Sequence, residues 1–214
     1  MSSFVDRCLD VLRPFGINPP LSNSWGPDAW GALRPHAAMD DVPPADLVIG
    51  LGSSHPGKHL SNAVVEAALH ASPHVRVVLV GGEAERARAE ELAAQHTHAQ
   101  AVAGDWDLAQ TTHAISHARA VVTGDTVTMH LAAASGRPTA AVWGCTRPSL
   151  GLAGWRTHPE SIEVIPDVAA PHKPCSKHGA TCKHTRSGDP FHPDRCSQQV
   201  DPAAITSWLE RVLA

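Results

Sequence analysis

Short apolar runs alternate with longer segments of helical periodicity along most of the chain. The runs cover residues 46–52, 75–80 and 120–122, with a weaker one at 100–102. Short apolar runs bounded by glycine or polar residues are typical of strands buried in a parallel sheet. The alternation predicts an α/β domain, a Rossmann-like parallel sheet with helices on both faces.

Residues 120–144 show this pattern in its fullest form. The polar loop 123–126 follows the apolar run, a helix of small residues is predicted over 127–135, and a second strand over 140–143. Gly136, directly after the predicted helix, is a usual stop signal. In such a βαβ unit the loop lies at the carboxyl end of the sheet, where the N-terminus of the helix can hold an anion.

Polar side chains follow several of the predicted strands, so the sheet geometry brings them to one ligand-binding edge. The candidates are Ser53, Ser54, Lys58, Glu83, Trp106, Asp125, Thr126 and His130. Lys58 can act as a point charge for phosphate or remain a solvated loop lysine. Glu83 can accept hydrogen bonds from ribose or stabilise a helix dipole, and Trp106 can stack on a base or fill the core. His130 lies on a helix, where a single histidine is more often structural than functional.

Composition narrows the class of protein further. The chain has 214 residues, 43% of them hydrophobic, and a net charge of −4, which favours a globular core and gives no argument for nucleic acid as a partner. No apolar run is long enough to span a bilayer, and no signal peptide is evident. A cytoplasmic protein is expected, with peripheral membrane contact left open. Neither the dinucleotide fingerprint nor the P-loop motif is present.

Residues 1–44 lack the alternating pattern. Apolar residues at helical spacing predict a short amphipathic helix that ends at Gly16, and the proline-rich remainder is linker-like. Trp25 and Trp30 are predicted to cover apolar surface on the main domain. That domain is predicted to span residues 45–214.

Four motifs stand out in this domain: DTVTMHLAAA at 125–134, RP at 137–138, WGCTRP at 143–148 and RCSQQVDPAAI at 195–205. They resemble motifs of glycosyltransferase family 9, the ADP-heptose:lipopolysaccharide heptosyltransferase family. The motifs follow one another in the family's order. The likeness covers about residues 45–214 and corresponds to the C-terminal half of family members.

The resemblance implies a GT-B glycosyltransferase, in which the C-terminal Rossmann-like domain holds a nucleotide-sugar donor, here most similar to an ADP-sugar. It implies donor-binding roles for nine residues: Ser53, Ser54, Lys58, Glu83, Trp106, Asp125, Thr126, Met129 and His130. Lys58 would hold the diphosphate, Glu83 the nucleoside and Trp106 the base. No divalent metal is required for catalysis, because amides, a helix dipole and a lysine can stabilise the leaving diphosphate.

Two features depart from the family pattern. Val127 stands where the family has glycine, and its β-branched side chain predicts a restricted backbone and a less close approach to the diphosphate. Residues 1–44 resemble the inter-domain linker and are too few to form the N-terminal domain, which by resemblance carries the acceptor site and the acidic general base. The chain is therefore expected to be the donor-binding half of a cleft, with a separate N-terminal domain as a partner.

A Cys/His-rich loop at 172–196 precedes a last predicted helix at 202–213. The chain has five cysteines, and three of them cluster here, which favours a metal or free thiols over a disulfide framework. The candidate ligands of a structural zinc ion are His172, Cys175, Cys182 and Cys196. Other histidines of the loop are alternative fourth ligands, and reduced thiols or one disulfide remain alternatives to a metal.

Three functions from different classes fit these observations. The first is a heptosyltransferase-type enzyme, or its donor-binding half, that transfers a sugar from an ADP-heptose-like donor to lipopolysaccharide or another glycan. The second is a stand-alone nucleotide-sugar-binding module without transferase activity. The third is a degenerate remnant with a structural or interaction role. Titration with nucleotides separates the first two functions from the third.

Overall fold

The computed structural model of the chain describes residues 4–18, 39, 41–166 and 178–214. Within this part, strands and helices alternate as the hydrophobic pattern predicts. In chain order they are α1 Phe4–Asp10, β1 Leu47–Gly50, α2 Asn62–His70, β2 Val77–Val80, α3 Arg86–Ala94, β3 Ala99–Ala101, α4 Leu108–His117, β4 Ala120–Gly124, α5 Val127–Ala134, β5 Thr139–Val142, β6 Ile162–Val164 and α6 Ala203–Val212.

The strands form one parallel sheet in the order β3-β2-β1-β4-β5-β6. This is the order of Rossmann-like, doubly wound sheets, so the predicted fold class is confirmed. The chain builds outward from β1 to one edge and then from β4 to the other. The crevice between β1 and β4 is therefore the topological switch point, beyond which sheets of this kind bind ligands.

The inner strands are covered on both faces, which explains their almost continuous apolar sequence. Every residue of β1, β2, β4 and β5 is buried. One core packs α2, α3 and α6 against the sheet and includes Leu69, Leu92 and Trp208. The other packs α4 and α5 against the opposite face and includes Ile115 and Leu131. Helices on both faces are thus confirmed.

Several strand ends differ by one or two residues from those predicted. Thr123 and Gly124, predicted to begin the polar loop, are the last two residues of β4 and pair with Gly50 and Val142. Thr123 is fully buried, and its hydroxyl oxygen lies 3.1 Å from that of Thr126, so its polarity does not end the strand. The following strand, β5, begins and ends one residue earlier than predicted.

The first segment is less regular than its periodicity predicts. The helix α1 ends at Asp10, and a short 3₁₀ turn at Arg13–Phe15 follows. Pro14 lies within that turn and has no amide hydrogen to continue an α-helix. Gly16 ends the segment as predicted, in a left-handed conformation with φ of 74°.

Other predictions about the first segment stay predictions. Trp25 and Trp30 lie outside the described residues. The boundary between the linker-like segment and the main domain is not tested by the contacts that are described. Among the helices of the described residues, none combines the length and the apolar character that crossing a membrane requires.

Candidate functional site

An open pocket lies over the carboxyl ends of the strands at the switch point between β1 and β4. Its volume is about 790 Å³, within the usual range for small-ligand sites. Loops that follow β1, β2 and β4 form its walls together with the segment before and at the start of α4. Seven of the predicted donor-site residues line it: Ser53, Ser54, Lys58, Trp106, Asp125, Thr126 and His130.

Lys58 and Asp125 form an ion pair across the switch point. Lys58 Nζ lies 2.8 Å from Asp125 Oδ2, and the two side chains are 16% and 5% exposed. Lys58 ends the 3₁₀ turn Pro56–Lys58 after β1, and Asp125 directly follows β4. The carboxylate holds the ammonium at the pocket wall. Because an ammonium has three donors, Lys58 can bind a phosphate oxygen while it keeps this partner.

The first turn of α5 opens into the same pocket. Thr126 is the N-cap residue, but its side chain makes no capping hydrogen bond. Thr126, Val127 and Thr128 all line the pocket. The first-turn amides and the positive end of the helix dipole therefore lie at the pocket wall, in an arrangement suited to an anion.

Val127 occupies ordinary backbone at the start of α5. Among the described non-glycine residues, Arg156 is the one with a positive φ. The turn therefore keeps Val127 in a backbone conformation that any residue can adopt, and the predicted effect of Val127 on the approach of a diphosphate stays a prediction. The side chain is 57% exposed and lines the pocket, so it takes up space at the helix N-terminus.

Glycines allow the loops around Lys58 to approach one another closely. A Cβ atom on Gly124 would lie 2.5 Å from the Lys58 carbonyl oxygen. Gly57 is buried, and its N–H donates to the Gly179 carbonyl at 3.0 Å. A Cβ atom on Gly57 would overlap Cys145 Sγ. The Lys58 turn is thus held between β4 and two neighbouring segments.

The two serines of the predicted site have different environments. Ser53 Oγ donates to the His55 carbonyl at 3.0 Å and accepts from the His55 N–H at 3.2 Å. These bonds shape the loop after β1. Ser54 is exposed and lines the pocket. Its hydroxyl is the more accessible of the two to a ligand.

Trp106 and Leu108 form an apolar wall. Trp106 is partly buried, packs against the core on the α4 side of the sheet and also lines the pocket. Leu108, at the start of α4, is 59% exposed yet lines the pocket too. An indole and an isobutyl group at one wall suit the face of a planar base. Leu108 is a pocket residue that the sequence did not single out.

His130 lines the pocket one turn into α5. Partial burial lowers its pKa below the ordinary value of 6.5, because a desolvated imidazole favours the neutral form. The charge of Asp125 opposes this shift, and that of Lys58 adds to it. The shift favours the neutral form of the ring, and the side chain is exposed to solvent.

Glu85, and not Glu83, has its carboxylate in the pocket wall. Glu85 is 8% exposed, and its Oε2 accepts from the Gly82 N–H at 2.9 Å. Glu83 is largely exposed and is bound by Arg86, whose guanidinium lowers the pKa of Glu83. The sequence signal for Glu85 is its position three residues after Gly82, where a glutamate side chain can return to the first amide of a helical turn.

Met129 also lies away from the pocket wall. Its side chain is 1% exposed and packs with Ala141 and Trp143 under α5. In an α-helix Met129 is next to His130 in sequence but on a different face. Met129 therefore supports the helix that carries the site.

Half of the candidate metal ligands in the tail can be placed. His172 and Cys175 lie outside the described residues. Cys182 is partly buried, and Cys196 is buried at the start of a short 3₁₀ turn. Arg195 is buried beside Cys196, and its guanidinium donates to the Asp189 and Ser187 carbonyls at 2.6 Å each. These bonds tie the Arg195 side chain to the loop from Ser187 to Asp189.

A doubly wound parallel sheet with an anion-adapted pocket at its switch point is the arrangement of nucleotide-binding α/β proteins. The chain belongs to glycosyltransferase family 9 (heptosyltransferase), whose family model matches residues 4–184. A comparison with curated protein sequences finds no match.

Solved structures share the fold. The Escherichia coli heptosyltransferase WaaC with ADP is 19% identical with a TM-score of 0.60, and 94% of this chain aligns with 53% of it. The E. coli ADP-heptose lipopolysaccharide heptosyltransferase II is 19% identical with a TM-score of 0.57, and 92% of this chain aligns with 54% of it. The iron-containing dodecameric glycosyltransferase TibC from enterotoxigenic E. coli is 13% identical with a TM-score of 0.56, and 83% of this chain aligns with 48% of it. The chain spans about half the length of each.

Proposed function

We propose that the pocket binds an ADP-heptose-like nucleotide sugar and that the chain is the donor-binding half of a glycosyltransferase. The acceptor would be lipopolysaccharide or another glycan. One observation carries the proposal: Lys58 and the first turn of α5 meet at the switch-point pocket, and Asp125 holds the Lys58 ammonium there at 2.8 Å. The family membership supports the same chemistry.

The proposed chemistry follows from where charge develops. When the bond between sugar and diphosphate breaks, the leaving nucleoside diphosphate gains negative charge. Groups that meet this charge stabilise the transition state more than the ground state and so increase the rate. Lys58 and the amides of α5 are such groups in this pocket, so we propose that no divalent metal is needed for the transfer.

The remaining walls suit the nucleoside. We propose that the base lies against Trp106 and Leu108, since aromatic and apolar side chains bind the π-face of a base. Adenine is the proposed base because ADP and ADP-heptose are named with two of the structurally similar heptosyltransferases. Glu85 is a candidate partner for ribose hydroxyls in place of Glu83.

The acceptor half is proposed to be a second Rossmann-like domain that faces the pocket. It would carry the acceptor site and the acidic general base. The similar structures are about twice as long as the matched region, which supports an additional domain in the complete assembly. A cytoplasmic location with peripheral membrane contact is the proposed setting, because glycan acceptors of this type are lipid-linked.

Calorimetric titration with ADP, GDP and UDP tests the donor pocket. ADP is expected to bind with a dissociation constant below about 1 mM, equivalent to roughly 4 kcal/mol of binding free energy. GDP and UDP are expected to bind more weakly than ADP. Absence of heat for all three nucleotides at millimolar concentration would refute a donor pocket of any kind.

Lys58→Met tests the role of the ammonium, because it keeps the length of the side chain and removes the charge. ADP affinity is expected to fall by about 1.5–3 kcal/mol, the usual contribution of a charged hydrogen bond. Lys183→Ala, which removes an exposed loop lysine outside the pocket, is the matched control and is expected to leave ADP affinity unchanged. Equal affinities in the two variants would contradict the assigned role of Lys58.

A stand-alone nucleotide-sugar-binding module is the second candidate, and Val127 favours it because its side chain lies where a diphosphate would approach α5. Addition of an N-terminal domain of the same family separates the two candidates. Sugar release from ADP-heptose that depends on both domains supports the transferase. Tight ADP-heptose binding without any turnover supports the module.

We also propose a structural metal, zinc or iron, bound by the Cys/His-rich loop. The described ligands Cys182 and Cys196 have the soft donor atoms that such metals prefer. One structurally similar protein is named as iron-containing. Elemental analysis of protein purified without chelator is expected to find about one metal ion per chain more than in Cys182→Ser.

A further inference from the structure

Besides the Cys/His-rich loop, a group of side chains of the types that bind metals lies at the amino ends of the strands. The pocket lies at the carboxyl ends, on the other side of the domain. Glu66 and His70 are on α2, and His96 follows the C-terminal end of α3. The end of α2 and the turn before β3 are both at the amino ends of the strands, because each precedes a parallel strand. One ligand atom from each of the three residues lies within 4.8 Å of the other two.

The distances are close to those of a coordinated ion. Glu66 Oε2 is 2.7 Å from His96 Nε2 and 3.8 Å from His70 Nδ1. Ligand atoms about 2.1 Å from a tetrahedral zinc ion are about 3.4 Å from one another. To reach that separation, the pair at 2.7 Å would move apart by about 0.7 Å and the pair at 3.8 Å would close by about 0.4 Å.

The three side chains combine order with access. His96 is 10% exposed and Glu66 is 29% exposed, so the surrounding structure holds these two side chains in place. His70 is 73% exposed and can adjust its ring. Its Nδ1 lies 2.7 Å from the Glu66 carbonyl oxygen, a contact that would be exchanged for the metal if that nitrogen coordinates. The i, i+4 spacing places Glu66 and His70 on one face of α2.

A further histidine supports the cluster from outside. The His98 ring stands edge-on to that of His96, with ring centroids 5.7 Å apart, and His98 Nε2 is 3.2 Å from the Leu69 carbonyl oxygen. This contact joins the end of α2 to the start of β3. Surrounding hydrogen bonds of this kind hold metal-binding residues in position.

We propose that Glu66, His70 and His96 bind a divalent transition metal of the zinc class, with water at the fourth position. Two imidazoles and one carboxylate form a ligand set that zinc accepts, and hard ions such as Mg²⁺ prefer oxygen ligands alone. The ion would join α2 to the turn between α3 and β3. The site is separate from the donor pocket, so it does not depend on the proposed function.

Cobalt(II) titration of chelator-treated protein tests the site. Cobalt bound by imidazole and carboxylate gives visible d–d absorption without the near-ultraviolet thiolate-to-metal band, which separates this site from the cysteines of the tail. One equivalent of Co²⁺ is expected to bind without thiolate absorption, and Zn²⁺ is expected to displace this Co²⁺. Zn²⁺ is also expected to raise the melting temperature, because an ion that binds the folded chain stabilises it.

His70→Ala is the decisive variant, because this exposed side chain contributes little to folding. It is expected to weaken metal binding at this site by more than about tenfold, since loss of a ligand exceeds the cost of losing a surrounding partner. His74→Ala, at an exposed position four residues later, is the matched control and is expected to bind as the unaltered chain does. The proposal is overturned if His70→Ala still binds one Co²⁺ without thiolate absorption as tightly as the unaltered chain. It is also overturned if the unaltered chain binds no Co²⁺ of this kind.

Discussion

Lys58 and Asp125 carry opposite charges where little water reaches them. Their side chains are 16% and 5% exposed, so each ion has lost most of its hydration. Such a pair contributes a small net stability, yet removal of one partner leaves a buried charge without compensation. A change at either residue is therefore expected to affect the other as well.

A double-mutant cycle measures this dependence. Lys58→Met, Asp125→Asn and the double variant are expected to give a coupling free energy of about 1–3 kcal/mol in urea unfolding, typical of directly contacting charged groups. The double variant is expected to be more stable than the less stable of the single variants. A coupling free energy near zero would mean that the ion pair does not form in solution.

His130 gives the stability of the chain a pH dependence. Burial lowers its folded-state pKa below 6.5, so the unfolded chain takes up a proton first as the pH falls. The contribution of His130 to the unfolding free energy is fully present above pH 6.5 and is lost as the pH decreases through the folded-state pKa. We expect His130→Gln to reduce the slope of unfolding free energy against pH below this value, as measured by urea unfolding at a series of pH values.

His59 and His113 have pKa values lowered by burial as well, so part of the slope is expected to remain in that variant. His74→Gln, at an exposed position outside the pocket, is the control and is expected to keep the full slope. A slope equal to that of the unaltered chain in His130→Gln would contradict the shift at His130.

Seven of the nine predicted site residues line the pocket, because most of them follow strands whose apolar pattern is clear. The exception at Glu83 and Glu85 has a physical cause. Both carboxylates are near the Gly82 amide in sequence, but the helical turn directs Glu85 inward and leaves Glu83 to Arg86. Which way a turn directs a side chain depends on partners from other segments, such as Asp105 at 2.6 Å from Arg86.

At the scale of elements, the turn from Pro56 to Lys58 is fixed by close backbone packing. We expect Gly57→Ala to lower stability by about 1–3 kcal/mol, because a new Cβ atom would overlap Cys145 Sγ and lie 2.9 Å from the Gly179 carbonyl oxygen. The turn would have to move, and Lys58 with it, so ADP affinity is also expected to fall. Thermal unfolding and calorimetry measure the two effects.

Gly188→Ala provides the matched comparison. Gly188 is exposed and has no atom within 4 Å of an added Cβ, so the same substitution is expected to change stability by less than about 0.5 kcal/mol. An equally small change in Gly57→Ala would mean that the turn is loosely packed in solution.

The elements themselves were largely predictable, and their ends were not. Buried parallel strands and capped helices have strong local signals, for example the Ser61 hydroxyl that accepts from the Val64 N–H at the start of α2. The end of β4 has no such signal, because Thr123 is polar but lies in the ladder opposite Gly50. Strand ends are set by partners on neighbouring strands, which a local pattern does not contain.

At the scale of the whole molecule, α6 closes the core on one face of the sheet. Trp208 is 1% exposed, and its Nε1 donates to the Glu160 carbonyl at 2.7 Å. We expect Trp208→Ala to lower the unfolding free energy by about 3–5 kcal/mol, the usual cost of deleting a buried large aromatic side chain. Urea unfolding followed by circular dichroism measures the loss.

Arg211→Ala, on the exposed side of the same helix, is expected to change stability by less than about 0.5 kcal/mol. Trp208→Phe keeps much of the packing and loses the hydrogen bond, so an intermediate loss is expected. A loss in Trp208→Ala no larger than in Arg211→Ala would mean that α6 does not pack on the domain in solution.

The fold class could be predicted from the sequence, but the order of the strands in the sheet could not. Alternating strands and helices predict a parallel sheet, but they do not state that β1 and β4 are neighbours. That contact joins residues far apart in the chain, and it brings Lys58 and Asp125 together. The sequence therefore predicts which loops share an edge, whereas the folded structure decides which of them touch.

The ion pair at the switch point has a consequence for selectivity. Asp125 already neutralises the Lys58 ammonium, so every incoming anion shares that ammonium with a carboxylate that is part of the protein. A singly charged anion gains little from an ammonium that is already paired, and Asp125 repels it. A diphosphate brings more oxygen atoms and can contact the free donors of Lys58 and the α5 amides at the same time. Asp125 thus favours ligands that reach both groups over small anions that reach Lys58 alone.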